Sequence, residues 1–299
     1  MERYGSLRNP SVLVCLVAAL LTLAAIALFM SASSVRTGRT SGGSAAPQPA
    51  SVHKDAESEA VSAEANDSIT QESVPSQSLQ PLDVHELSVG QIVSDDDIRR
   101  VGSVDAFFYA EPIPDEVFAR MEGKSYGADC SVPRDELRYV RVLHVDDQGQ
   151  RKLGELVVHQ DVSGDVLDIF RALYDAGFPI RRMRLVDDYG ADDDASCTDD
   201  NTSCFNFRFV AGTSVLSNHA YGLAIDINPY ENPYCIPDEG FVAPAKATRY
   251  ANRALDEPYM IHQNDLCYRL FIEHGWSWGG DWDSPKDYQH FEKPDARWE

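Results

Sequence analysis

An α+β domain, an antiparallel sheet flanked by helices, is the fold class this 299-residue sequence predicts. Three observations carry the prediction. Two strand-like stretches flank the turn Asp146-Asp147-Gln148-Gly149, two stretches have helical spacing, and short alternating segments are scattered among them rather than repeating as strand–helix units. Taken in order, Val93 to Arg100 and Asp115 to Met121 read as short helices. Leu137 to Val145 alternates as a strand, and Leu153 to His159 is its partner across the turn. From Ser163 to Ala176, Val166, Leu167, Ile169, Phe170 and Leu173 recur at helical spacing, and Gly177 stops the helix. Ile180 to Val186 reads as a strand, followed by an acidic loop, a segment from Phe205 to Ala211, and a strand from Leu223 to Ile227. Met260 to His274 predicts an amphipathic helix ending at Gly275, and a last strand lies near His290.

The N-terminal third does not read as folded, which leaves roughly 200 residues for one compact unit. After a short N-terminus of ten residues expected in the cytoplasm, residues 11–30 form an uncharged apolar stretch preceded by Arg3 and Arg8. That is about the length needed to cross a bilayer. A cleaved signal peptide is the rival reading, but the apolar run exceeds the usual signal core, so an uncleaved membrane anchor with the remainder outside the cytoplasm is expected. Residues 31–82 are rich in Ser, Ala, Pro, Gln and Glu and read as a disordered tether. Residues 83–136 then form an N-terminal extension of the domain proper, 137–299.

A net charge of −22 excludes nucleic acid as a partner, because phosphate binding needs a basic face. The densest acidic run, Asp187 to Asp194 with Asp199 and Asp200 following, lacks the calcium-loop pattern and is expected to be a solvated loop. Beyond Cys15 there are Cys130, Cys197, Cys204, Cys235 and Cys267, an odd set that allows at most two internal disulfides. Cys197 with Cys204 and Cys235 with Cys267 are one conjectural pairing. No Cys-x-x-Cys exists, so a cysteine zinc site is excluded on spacing.

The most informative stretch is Ser217-Asn-His-Ala-Tyr-Gly-Leu-Ala-Ile-Asp226. His219 precedes a turn at Gly222, and Asp226 falls in a strand among Leu223, Ile225 and Ile227, where a carboxylate is costly to bury without a cation. His290, three residues after Asp287, supplies the third group. Two histidines and one carboxylate suit zinc and leave a coordination position open, the arrangement of catalytic rather than structural sites. Asp287 then stands where a general base is needed.

Ser217-x-His219-x-x-Gly222-x-Ala224-x-Asp226 followed by Asp287-x-x-His290 resembles the zinc D-alanyl-D-alanine carboxypeptidase family, which includes VanY-like enzymes and the L-alanyl-D-glutamate endolysins of phages. The resemblance spans roughly residues 137–294 and implies a hedgehog/D,D-peptidase-like fold. It implies one zinc ion per domain on His219, Asp226 and His290, with Asp287 as catalytic acid/base, a position where some members carry Glu. Arg208, in Phe205-Asn206-Phe207-Arg208, fits the family's arginine that polarises the scissile carbonyl, although Arg181, Arg182 and Arg184 lie close by in sequence. Ser217 is expected to orient ligands or substrate, or else simply to cap a turn. Tyr221 and Trp282 are further candidates for substrate contact. Trp276, Trp278 and Trp282 suit a groove wall or core packing alike. The expected protein is a monomeric, membrane-anchored, extracytoplasmic zinc peptidase that trims peptidoglycan stem peptides by metal-activated water, foremost as a D-alanyl-D-alanine carboxypeptidase. Cleavage at L-alanyl-D-glutamate on the same site is the alternative, and a non-catalytic zinc-containing wall-binding module is the third reading.

Overall fold

The computed structural model describes residues 80–293. The anchor expected over 11–30 and nearly all of the tether lie outside them; among the described residues no helix is long and apolar enough to cross a membrane. Helix α1 (Asp95–Val101) starts at a capping box, with the Ser94 hydroxyl accepting from the Asp97 N–H and the Asp97 carboxylate accepting from the Ser94 N–H. Strands β1 (Tyr109–Pro112), β2 (Leu137–Val145) and β3 (Arg151–His159) form an antiparallel sheet in that order. The β2–β3 register, from Leu137 opposite His159 to Val145 opposite Arg151, is set at the turn, where Asp146 Oδ1 accepts from the Gln148 and Gln150 N–H groups. Helix α2 (Asp115–Met121) sits between β1 and β2 in sequence, and helix α3 (Ser163–Asp175) buries Val166, Ile169, Phe170 and Leu173. Ile113, Val117, Met121 and Val132 join these side chains in one core, so the extension before β2 is an integral part of the domain.

The same core runs on into a second antiparallel sheet, which carries the motif. Its strands β6 (Ala224–Asp226), β9 (Ser277–Trp278) and β11 (His290–Glu292) are ordered β6-β11-β9. Helix α5 (Leu266–Glu273) packs on it through Phe271, whose ring stacks on Phe291 with centroids 4.1 Å apart. A third sheet, ordered β10-β7-β8, is built from β7 (Tyr234–Ile236), β8 (Phe241–Ala243) and β10 (Lys286–Asp287). The α+β class holds, but one sheet does not carry the whole site. Asp226 and His290 share a sheet, His219 sits on the turn before it, and Asp287 belongs to its neighbour.

Several expected elements are shorter, two of them because long-range hydrogen bonds take their backbone groups. Of the 180–186 strand only β4 (Arg182–Met183) forms, pairing in parallel with β5 (Asn201–Thr202). No strand forms over 205–211, because the N–H groups of Phe205, Asn206 and Phe207 go to Val157, His219 and Ser125, three different segments. The helix expected from Met260 starts only at Leu266. Asn232 holds the preceding backbone, accepting from the Ile261 N–H at 2.7 Å and donating to the Tyr259 carbonyl at 2.8 Å, and Asp265 caps the helix through the Tyr268 N–H.

The acidic run is solvated only in part: Asp188, Asp192, Asp194 and Asp199 are exposed, but two members are not. Asp187 is buried and accepts from the N–H and hydroxyl of Ser125, and Asp200, also buried, pairs with Arg181 at 2.8 Å. Asp192 caps helix α4 (Asp193–Thr198). The conjectured disulfides are also absent: all five described cysteines are free thiols, with Cys267 on the core-facing side of α5.

Gly222 is required where it stands. Its φ is +70°, its carbonyl accepts from the His159 N–H at 2.9 Å, and a Cβ there would lie 2.6 Å from that same nitrogen. We expect Gly222→Ala to destabilise the fold by roughly 2–4 kcal/mol, read as a lowered urea midpoint at unchanged m-value. An unshifted midpoint would show that the turn does not lock against β3.

Candidate metal centre

Local structure delivers each ligating group to one point. Ser217 caps a 3-10 turn, Asn218–Tyr221, its hydroxyl accepting from the His219 N–H at 3.3 Å. His219 is buried, and its Nδ1 donates to the Cys204 carbonyl at 2.6 Å, which turns Nε2 inward. Asp226 and His290 face each other directly across the β6–β11 pair. The separations are 3.3 Å from His219 Nε2 to Asp226 Oδ2, 3.1 Å from His290 Nδ1 to Asp226 Oδ1, and 3.2 Å from His219 Nε2 to His290 Nδ1.

The donor set fits a cation. His290 Nε2 lies 3.1 Å from Glu292 Oε2, so its proton has a partner there just as that of His219 Nδ1 has one in Cys204. Neutral imidazoles held in this way present bare lone pairs at His219 Nε2 and His290 Nδ1, and with the Asp226 carboxylate three acceptors converge without a donor among them. Tetrahedral ligands about 2.0–2.1 Å from a common zinc ion stand roughly 3.3–3.4 Å apart, close to the 3.2 Å between His219 Nε2 and His290 Nδ1, while the two Asp226 oxygens each reach one of the histidines. Without a cation the group must share protons. Burial opposes charge on His290, but Asp226 and Glu292 outweigh it and push the imidazole up to about 10. Burial likewise works against the Asp226 carboxylate, yet the two histidines hold it far below the usual range.

Asp287 lies on β10 beside this triangle. Its Oδ1 is buried without a hydrogen-bond partner, and burial pushes the carboxyl up to about 7; Asp226 and Asp193 add to the shift, while His290 and Arg208 oppose it. Gly279 packs against it so closely that a Cβ there would lie 2.8 Å from the Asp287 Cβ. Arg208 donates to Asp193 Oδ2 at 2.8 Å, and its Nε is buried without a partner. The rival arginines are engaged elsewhere: Arg181 with Asp200 and Glu231, Arg182 with Asp199, Arg184 with Asp188.

The remaining candidates divide. The Trp282 ring lies 5.5 Å from that of His290, at the site, whereas Trp276 and Trp278 are core residues. Tyr221 is buried in the main core rather than on a groove wall. Ser217 is a cap. Sequence reading missed Glu292, Asn218 and Asp193. Asn218 Nδ2 donates to Glu292 Oε2 at 2.6 Å, tying the His219 turn to the His290 strand through one carboxylate.

Residues 211–293 match the family model described as D-alanyl-D-alanine carboxypeptidase, the family that the motif residues resemble. The matched segment holds the three converging groups and Asp287, and begins just after Arg208. No curated protein and no solved structure matches the chain.

Proposed function

We propose that this chain is a zinc-dependent peptidase that hydrolyses the stem peptides of peptidoglycan, acting as a D-alanyl-D-alanine carboxypeptidase. The observation that carries the reading is the buried triangle of His219, Asp226 and His290, with an unpartnered carboxylate beside it, inside the segment that matches the family model. His219, Asp226 and His290 would hold a zinc ion, which would supply Lewis acidity and make water acidic enough to lose a proton near neutrality. The rest falls to the chain's own groups. Asp287, buried beside the triangle with its Oδ1 free, takes up a proton from the attacking water and returns it to the leaving amine. Arg208, oriented by Asp193, offers its unpartnered Nε–H to the negative charge that develops on the scissile carbonyl oxygen. Trp282 walls the approach beside His290. On this reading residues 11–30 anchor the enzyme and residues 31–82 carry it into the wall from the outer membrane face.

Glu292 acts on the metal through His290. We expect Glu292→Gln to weaken zinc binding about 10- to 100-fold, measured by competition with a chromophoric chelator, with the fold intact. Unchanged affinity would mean that Asn218 and Glu292 serve packing alone.

Asp287 stands where some family members carry Glu and resembles the endolysin-like and peptidoglycan-trimming branch, so the second reading is cleavage of an internal L-alanyl-D-glutamate bond on the same site. Product masses separate the two. A pentapeptide stem ending in D-alanyl-D-alanine loses one alanine to a carboxypeptidase, whereas intact wall releases whole stems to an endopeptidase. Failure of both substrates with the zinc-loaded protein would leave the non-catalytic module.

A further inference from the structure

A cavity of ≈ 710 Å³ opens on the face of the β1–β3 sheet beside α2 and the segment 85–89. Every residue lining it falls between 85 and 188, outside the matched segment, and none belongs to the metal triangle. Arg141 stands at its base on the central strand, directly opposite Tyr109 of β1 and Glu155 of β3. Only 6% of Arg141 is exposed.

Glu155 is its cross-strand neighbour but not its ion-pair partner. That carboxylate, fully buried, accepts from Arg120 at 2.6 and 2.9 Å and from the Tyr139 hydroxyl at 2.7 Å. Arg120 and Arg184 in turn share Asp188. Arg141 donates to the Leu87 carbonyl at 2.9 Å and the Tyr139 hydroxyl at 3.3 Å, its Nε has no partner, and among the described residues no carboxylate pairs with it. Two hydrogen bonds leave most of a guanidinium's five donors unused, and a buried cation without a counter-charge is costly. The lining as a whole carries Arg120, Arg141 and Arg184 against Glu111, Glu116, Glu155 and Asp188, so it is the unpaired Arg141 guanidinium, and not the net charge of the cavity, that offers an anion a place.

We infer that Arg141 anchors a second binding site, separate from the metal centre, for a short peptide bearing a free carboxylate. The volume falls in the range of small-ligand sites and exceeds the needs of a lone inorganic anion. Tyr109, Leu87 and Val117 give the cavity apolar walls, and the partly or fully exposed Glu111 and Glu116 line it as well. Those carboxylates, with Glu155 within, repel a doubly charged phosphate and suit a ligand whose other end is an amine. The inference does not rest on the peptidase reading.

The test is calorimetric titration of the full-length protein with trialanine and, separately, with its C-terminal amide. Trialanine binds saturably, the amide at least about tenfold more weakly, and Arg141→Leu loses at least about tenfold in affinity for the acid. Asp226→Asn, which disables the metal centre, leaves trialanine binding unchanged. Tyr109→Ala weakens it while keeping Arg141, which covers the case that Arg141→Leu fails to fold. Equal affinity for acid and amide, no saturable binding, or loss in Asp226→Asn instead of the cavity variants would overturn the inference.

Discussion

Replacing Asp226 by asparagine lowers kcat/KM for stem-peptide hydrolysis by at least about 10³-fold, and His219→Ala added to it costs little more. Asp226 lies within 3.1–3.3 Å of both histidine nitrogens and is the one formal negative charge in the triangle, so on the proposed reading its loss would remove a ligand and the charge that offsets the ion. Once the triangle fails to hold its ion, its remaining members have nothing to act on, and such residues are non-additive. Metal content by mass spectrometry checks the cause, since the single variant should retain far less zinc than wild type. Independent, additive effects of the two changes would mean that the groups do not share an ion.

Asp287→Asn is the complementary case. The amide keeps the shape and leaves His219, Asp226 and His290 untouched, but it cannot accept a proton. We expect kcat to fall about 10²- to 10⁴-fold with KM and zinc content close to wild type. Stability should be equal or higher, because a buried carboxylate oxygen without a partner is costly to fold around. A fall in zinc content alongside activity would recast Asp287 as a fourth ligand.

The split between these two variants reflects how the site is built, and also how much of it was legible in the sequence. Local signals survived folding. The short helix read over Val93 to Arg100, the alternation from Leu137 to Val145 and the glycine turn at 222 each depend on neighbours within a few residues, and each stands close to where the sequence puts it. The triangle was legible because each member lies in a motif with its own spacing, although 64 residues separate Asp226 from His290.

Long-range polar contacts were not legible. Asp187 and Asp200 read as solvated because nothing nearby in sequence announces that Ser125 and Arg181 will bury them. Asn232 likewise shortens the expected helix by taking over backbone groups near residue 260. Asp193 looked like one more acidic residue until Arg208, fifteen positions on, was seen to pair with it. Glu292 had a signal that passed unused: two residues beyond His290 on a strand, it shares that residue's face, where a carboxylate can reach the ring.

The central claim is that the triangle of His219, Asp226 and His290 makes this chain a metal-dependent peptidase. Its most direct test is the mass of a D-alanyl-D-alanine-terminated pentapeptide after incubation with full-length protein, first loaded with zinc, then stripped by chelator, then reloaded. The account predicts loss of one alanine with zinc, none after stripping, and recovery on reloading. Cleavage that persists undiminished in the stripped protein would contradict it.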